Sequence, residues 1–192
     1  YADESYPKSI ANWNNFESAA IPSSVSHDIR ASFTDSDGAT YVFTAGEYFV
    51  EGGAGPRARI DSRWGKVANN IQDTGSVDAA FILPNGSLCL FSGDQYALYS
   101  GAARDYLDEG YPKRIADRWG DQLPESYRRG IDAGFVFDGR TYLVKGSEYV
   151  RYSGPTREML DTGFPRALAA WMNQRPELLL NDVETFRQFK AL

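Results

Sequence analysis

Short apolar runs recur along the chain, and each is broken by a turn dipeptide. Runs beginning near Phe33, Phe81 and Phe135 are followed by Asp37-Gly38, Asn85-Gly86 and Asp138-Gly139, and each of those glycines stands ten residues before a tyrosine: Tyr48, Tyr96 and Tyr149. Tight hairpins need φ > 0, which Asn, Asp and Gly tolerate best. The pattern predicts three sets of strands, at 29–33, 40–44 and 48–51, then 78–83, 87–92 and 95–99, then 132–137, 140–145 and 148–152. Alternation in Thr141-Tyr142-Leu143-Val144 and Tyr149-Val150-Arg151-Tyr152 fits half-buried strands. Each set leads to a corner closed by tryptophan. Helices are predicted up to Trp64-Gly65, from Pro112 to Trp119 with Gly120 as the stop, and from Pro165 to about Asn173, because proline suits a first helical turn and glycine a C-terminal cap.

The four tryptophans, Trp13, Trp64, Trp119 and Trp171, are 51, 55 and 52 residues apart. A period near fifty with several short strands per unit describes propeller blades, since one such unit cannot bury both faces of its sheet alone. Residues 1–16 read as the tail of a blade ending at Trp13, Ile21-Pro22-Ser23-Ser24 as a connector, and about 26–70, 75–124 and 129–173 as three repeats of one domain spanning 1–192. Past Trp171 the pattern stops. Asn181 with Glu184 three residues on, followed by Phe186, Phe189 and Leu192, predicts an amphipathic helix over 181–192. Four corners but three strand starts leave one blade partial. Its inner strands must come from outside the sequence, from residues 174–192, or from a second copy, and an open blade edge favours a homodimer that completes it.

The segments Asp78-Ala79-Ala80-Phe81, Leu90-Phe91-Ser92-Gly93-Asp94-Gln95-Tyr96 and Gly110-Tyr111-Pro112-Lys113-Arg114-Ile115 up to Trp119 resemble the hemopexin repeat. Copies at 131–171 and 29–64 follow it with decreasing fidelity. The resemblance spans residues 1–173 and implies an all-β, four-bladed β-propeller with short helices at the blade corners. It is similar in organisation to stand-alone bacterial photopexin-like proteins and to plant albumin-type members. Propellers of this family hold ions in a central channel lined by the first positions of the inner strands. Those positions are Arg30, Asp78 and Asp132, followed by Ala31, Ala79 and Ala133. The resemblance implies Asp78 and Asp132 as metal ligands, and hard cations such as Ca2+ or Na+ do favour oxygen donors. Arg30 breaks the acidic ring: either it pairs with Asp78 or Asp132, or it favours an anion or carboxylate ligand. The alternative is that both aspartates cap strand ends and turn amides.

Composition narrows the function classes. The chain has 192 residues, a net charge of −6 and a pI near 4.9, which disfavours generic nucleic-acid binding. No apolar run is long enough to span a bilayer and no signal peptide is visible; a secreted setting is what the resemblance implies. Cys89 is the single cysteine and reads as a buried thiol in a strand, so the disulfide usual in animal extracellular members is absent. His27, the single histidine, reads as a loop residue and gives haem little to hold it. Asp35-Ser36-Asp37-Gly38 opens like a calcium loop but lacks the later glutamate, and is expected to be a turn. The tyrosine series reads as packing between blades. Basic residues gather at the corners: Arg57, Arg59, Arg63 and Lys66; Lys113, Arg114 and Arg118; Arg128 and Arg129. Interleaved acids make solvated faces the default, with a sulfated glycan as the ligand if they converge. No nucleophile elbow, metalloprotease motif or phosphate loop is present. The expected function is non-enzymatic binding of a small ligand, ion, glycan or host protein through the channel or a propeller face. A structural oligomerisation scaffold is the rival, and a haem or polyamine carrier ranks behind both.

Overall fold

The computed structural model describes residues 28–50, 58–154 and 156–174. The blade tail at 1–16 with Trp13, the connector at 21–24, His27, Arg57 and the helix expected at 181–192 lie outside the described residues.

Twelve strands among the described residues form three antiparallel sheets of four, each in sequence order. The first holds β1 (Ala31–Thr34), β2 (Thr40–Phe43), β3 (Glu47–Val50) and β4 (Ala58–Arg59). The second holds β5 (Ala79–Ile82), β6 (Leu88–Ser92), β7 (Gln95–Tyr99) and β8 (Lys113–Arg114). The third holds β9 (Ala133–Phe137), β10 (Arg140–Lys145), β11 (Glu148–Tyr152) and β12 (Arg166–Ala167). The innermost strands lie side by side, β1 beside β5 and β5 beside β9, so the sheets radiate as propeller blades. Gly134 of β9 makes this close approach possible: a Cβ there would sit 2.3 Å from the Phe81 ring of β5.

Apolar clusters fill the two seams between blades, and a third gathers Phe135, Tyr142, Val144 and Tyr149 within the third blade. Phe33, Phe43, Ile60 and Trp64 of the first blade pack with Leu88, Leu90 and Tyr99 of the second. Phe81, Cys89, Phe91 and Trp119 of the second pack with Leu143, Val150 and Tyr152 of the third. Strand β6 shows the logic. Side chains alternate across a strand, so Leu88 and Leu90 serve one seam while Cys89 and Phe91 serve the other, and the whole strand is buried. That is why 88–91 reads as an unbroken apolar run. The turn over 35–38 is a hairpin as expected: Asp37 Oδ1 accepts from the Ala39 amide at 3.0 Å, and Gly38 has φ 85.

The corner helices are shorter than the sequence predicts. They are α1 (Ile60–Arg63), α3 (Ile115–Arg118) and α5 (Leu168–Gln174). Neither Pro112 nor Pro165 opens a helix. Both precede two-residue strands that the sequence reading left unmarked in these two blades: β8 pairs Lys113 and Arg114 with Tyr96 and Gln95, and β12 pairs Arg166 and Ala167 with Tyr149 and Glu148. Backbone groups committed to a ladder cannot begin a helix, so helical turns start one residue later, where the Ile115 amide bonds the Asp94 carbonyl and the Leu168 amide the Ser147 carbonyl. Two link helices were also not predicted, α2 (Asn70–Thr74) and α4 (Glu125–Arg128). Helix α2 carries a readable signature, with Asn69 Oδ1 accepting from the Gln72 amide at 2.7 Å and Gly75 stopping the helix at φ 63. Among the described residues no helix is long and apolar enough to cross a membrane.

Candidate functional site

Arg30, Asp78 and Asp132 occupy one equivalent position. The Arg30 amide donates to the Phe43 carbonyl, Asp78 to Phe91 and Asp132 to Val144, at 2.8–3.0 Å, each just ahead of an inner strand. Since those strands are neighbours, the three side chains belong to one end of the inner-strand array. Behind them Ala31 and Ala79 are buried and Ala133 is half-buried, leaving no polar side chain at the second position.

Both carboxylates are partly spent on their own blades. Asp78 Oδ2 accepts from the Gly93 amide and Asp132 Oδ2 from the Gly146 amide, each at 2.7 Å, holding the turn between the second and third strands. The remaining oxygens differ. Asp132 Oδ1 pairs with Lys145 Nζ at 2.5 Å, whereas Asp78 Oδ1 lies 3.3 Å from the Ser76 hydroxyl, which also accepts from Arg30 Nη1 at 3.1 Å. Arg30 thus reaches Asp78 through Ser76 and pairs directly with Asp28 at 3.3 Å. Turn capping, the alternative raised by the sequence, is part of what these aspartates do. Among the described residues no group of three or more His, Cys, Asp or Glu side chains gathers as a metal site.

The corner cations are mostly held locally. Arg59 pairs with Asp61, Arg114 with Asp94 and Arg129 with Glu125, while Arg128 donates to the Leu123 and Asp121 carbonyls. Lys66 sits over the Tyr106 ring. Lys113 and Arg118 do meet in a pocket at the seam between the second and third blades, joined there by Tyr111, Arg157 and Glu158, residues that sequence reasoning did not single out. Only the spatial neighbourhood of two repeats brings them together, so no local pattern announces them. Cys89 is fully buried, and burial pushes its thiol up, which leaves it protonated and unreactive. Tyr48, Tyr96 and Tyr149 pack edge-on to the tryptophans of their own blades, Trp64, Trp119 and Trp171, while Tyr99 and Tyr152 supply the packing between blades expected of the tyrosine series.

Residues 77–121 match the Hemopexin family model. Over that stretch the chain is similar to the hemopexin repeat. Vitronectin of Homo sapiens is 38% identical over 104 residues, covering 52% of this chain and 19% of vitronectin. Matrix metalloproteinase-25 of Mus musculus is 33% identical over 103 residues, covering 50% of this chain and 14% of that protein. The similarity therefore spans less than a fifth of either relative. Among solved structures, the hemopexin fold protein CP4 from cow pea superposes with a TM-score of 0.61 at 22% identity, covering 81% of this chain and 73% of CP4. A Cicer arietinum protein described as a plant lectin with two metal binding sites gives 0.60 at 18% identity, covering 80% and 73%. At these identities the likeness establishes the fold: an all-β, hemopexin-like propeller, three of whose blades lie among the described residues.

Proposed function

We propose that this hemopexin-like chain is a non-enzymatic binding module whose ligand engages the channel end marked by Arg30, Asp78 and Asp132. The observation that carries this reading is their shared backbone bond, which sets one cation and two anions at equivalent places on adjacent inner strands. A hard cation such as Ca2+ or Na+ would take backbone carbonyls together with the lone pairs that Asp78 and Asp132 keep after capping their turns, while an anion would take Arg30. The naming of one structural relative as a lectin with two metal binding sites supports binding as the general role. A glycan or protein partner and an extracellular setting belong to the same reading. So does a second copy of the chain that completes the partial blade, an idea that a monodisperse monomer in sedimentation at micromolar concentration would remove.

Native mass spectrometry with added Ca2+ tests the channel. Asp78→Asn and Asp132→Asn keep an acceptor for the Gly93 and Gly146 amides but lose the charge. The expected result is a stoichiometric mass increment in the parent protein that both variants lose. No increment, or one that both variants retain, would sink the channel reading and leave a purely structural scaffold as the better account.

A further inference from the structure

The two described seams are built from equivalent residues, yet one is filled and the other is not. Arg63 and Arg118 precede the seam tryptophans, Arg104 and Arg157 both adopt left-handed backbone at φ 50 and 55, and Asp105 and Glu158 follow them. In the first seam the Arg63 guanidinium lies over the rings of Trp64 at 4.8 Å and Tyr41 at 5.2 Å, donates to the Ala103 carbonyl at 3.1 Å and meets Asp105 at 3.4 Å. Arg104 pairs with Asp35 of the neighbouring blade at 2.6 Å. Both arginines there have a carboxylate partner.

The second seam keeps a longer form of the first pair and lacks the second. The residue matching Asp35 is Leu83: the Leu83 amide bonds Ser87 as the Asp35 amide bonds Ala39. With an apolar residue there, Arg157 lies over the Trp119 ring at 5.6 Å instead. Arg118 is swung outward, with 53% of its side chain exposed and Nη1 3.8 Å from Glu158. Between them is a pocket of about 180 Å³, whose lining includes Tyr111, Trp119, Lys113, Arg118, Arg157 and the carboxylate-bearing Glu158. Lys113 Nζ lies 4.3 Å from the Tyr111 ring centre. Trp119 is 1% exposed, and its indole N–H is buried with no acceptor, as is that of Trp64 in the first seam.

We propose that this seam pocket is an oxyanion site that takes a single sulfate or carboxylate group between Lys113, Arg118 and Arg157. Three cations against one carboxylate reverse, locally, the sign of a chain whose net charge is −6. Guanidinium groups match planar and tetrahedral oxyanions by paired N–H donation, which an ammonium reinforces as a point charge. The volume is below the roughly 300–1,000 Å³ of drug-sized sites, so one group or one chain end fits rather than a large ligand. The sulfate of an acidic saccharide and a free sulfate ion share this chemistry. The site goes beyond the channel and is independent of it.

Isothermal titration of the full chain with a sulfated heparin-type disaccharide, its unsulfated counterpart and inorganic sulfate tests the pocket. Arg118→Gln and Lys113→Gln change side chains at the surface, and Arg157→Asn keeps a residue tolerant of left-handed backbone. The expected result is binding of a sulfate-bearing probe that weakens at least about tenfold in Arg157→Asn and Arg118→Gln, that is, about 1.4 kcal/mol. It should weaken further with salt and be unchanged in Asp78→Asn. Disaccharide binding tighter than sulfate alone assigns the group to a saccharide, and equal binding assigns it to the free anion. No binding of either sulfated probe, or binding that the seam variants leave intact, would overturn the proposal, whatever the channel does with Ca2+.

Discussion

The Tyr152 hydroxyl donates to the Trp119 carbonyl at 2.7 Å, stitching the third blade to the second from inside the seam. Tyr99 does the same to Trp64, also at 2.7 Å, one seam earlier. Burial pushes both phenols up, so they remain protonated donors throughout the physiological range. Tyr152→Phe leaves a buried carbonyl without its partner and is expected to cost about 1–3 kcal/mol. Tyr99→Phe should cost less, because Asn69 Nδ2 also donates to the Trp64 carbonyl at 3.2 Å, and the double variant the sum, because the two bonds lie in separate seams. Urea unfolding midpoints measure this; unchanged midpoints in both single variants would mean that the rings contribute packing alone.

Gly120 and Gly38 separate two costs of replacing glycine. Both have φ 85, but a Cβ on Gly38 meets nothing within 4 Å, while one on Gly120 would sit 2.3 Å from the Glu158 carbonyl oxygen. Gly38→Ala should therefore lose only the roughly 1–2 kcal/mol of left-handed backbone strain. Gly120→Ala adds a backbone clash worth about 1–3 kcal/mol. The melting temperature of Gly120→Ala should fall well below that of Gly38→Ala, and it should also distort the seam pocket. Equal melting temperatures would contradict the close approach.

Asp161 fixes the end of the third blade's β11, accepting from the Ser153 amide at 3.0 Å, the Ser153 hydroxyl at 2.6 Å and the Arg151 guanidinium. Burial works to raise its carboxyl, but the Ser153 hydroxyl, Arg151 and the Ser153 amide outweigh that and hold it below the usual carboxylate range. A carboxyl depressed in the folded state stabilises it above the unfolded value, about 3.9, and the contribution is lost as pH falls through the lower folded value. Asp161→Asn should thus destabilise the protein at pH 7 and converge with the parent as pH falls through the lowered folded value. Chemical unfolding at several pH values checks this; a gap that persists undiminished in acid would assign the effect to geometry rather than charge.

Much of the architecture was legible because it is local and repeated. A turn dipeptide, a fixed ten-residue step to tyrosine and a corner tryptophan are each forced by short-range sterics and packing. The nine longer strands accordingly fall where the apolar runs place them, with ends shifted by a residue or two. The two-residue strands β8 and β12 were not legible. Their reason to exist is the open edge of β7 or β11, which no property of Lys113-Arg114 or Arg166-Ala167 reveals. Proline then misled the reading, since its fit to a first helical turn is real but the preceding ladder claims the backbone first.

By itself, then, the sequence determined the blades, their order, their number among the described residues and the equivalence of Arg30, Asp78 and Asp132, because period and register are written in neighbouring residues. Tertiary structure decided what those side chains do. It tied Asp78 and Asp132 to turn amides, separated the corner cations into local pairs, and brought Lys113 and Arg118 to Arg157 across a seam. Partners contributed by different blades are set by how two sheets stack, and a single substitution at the facing position, Leu83 where the first blade has Asp35, changes whether an arginine is neutralised by the protein or left to meet a ligand.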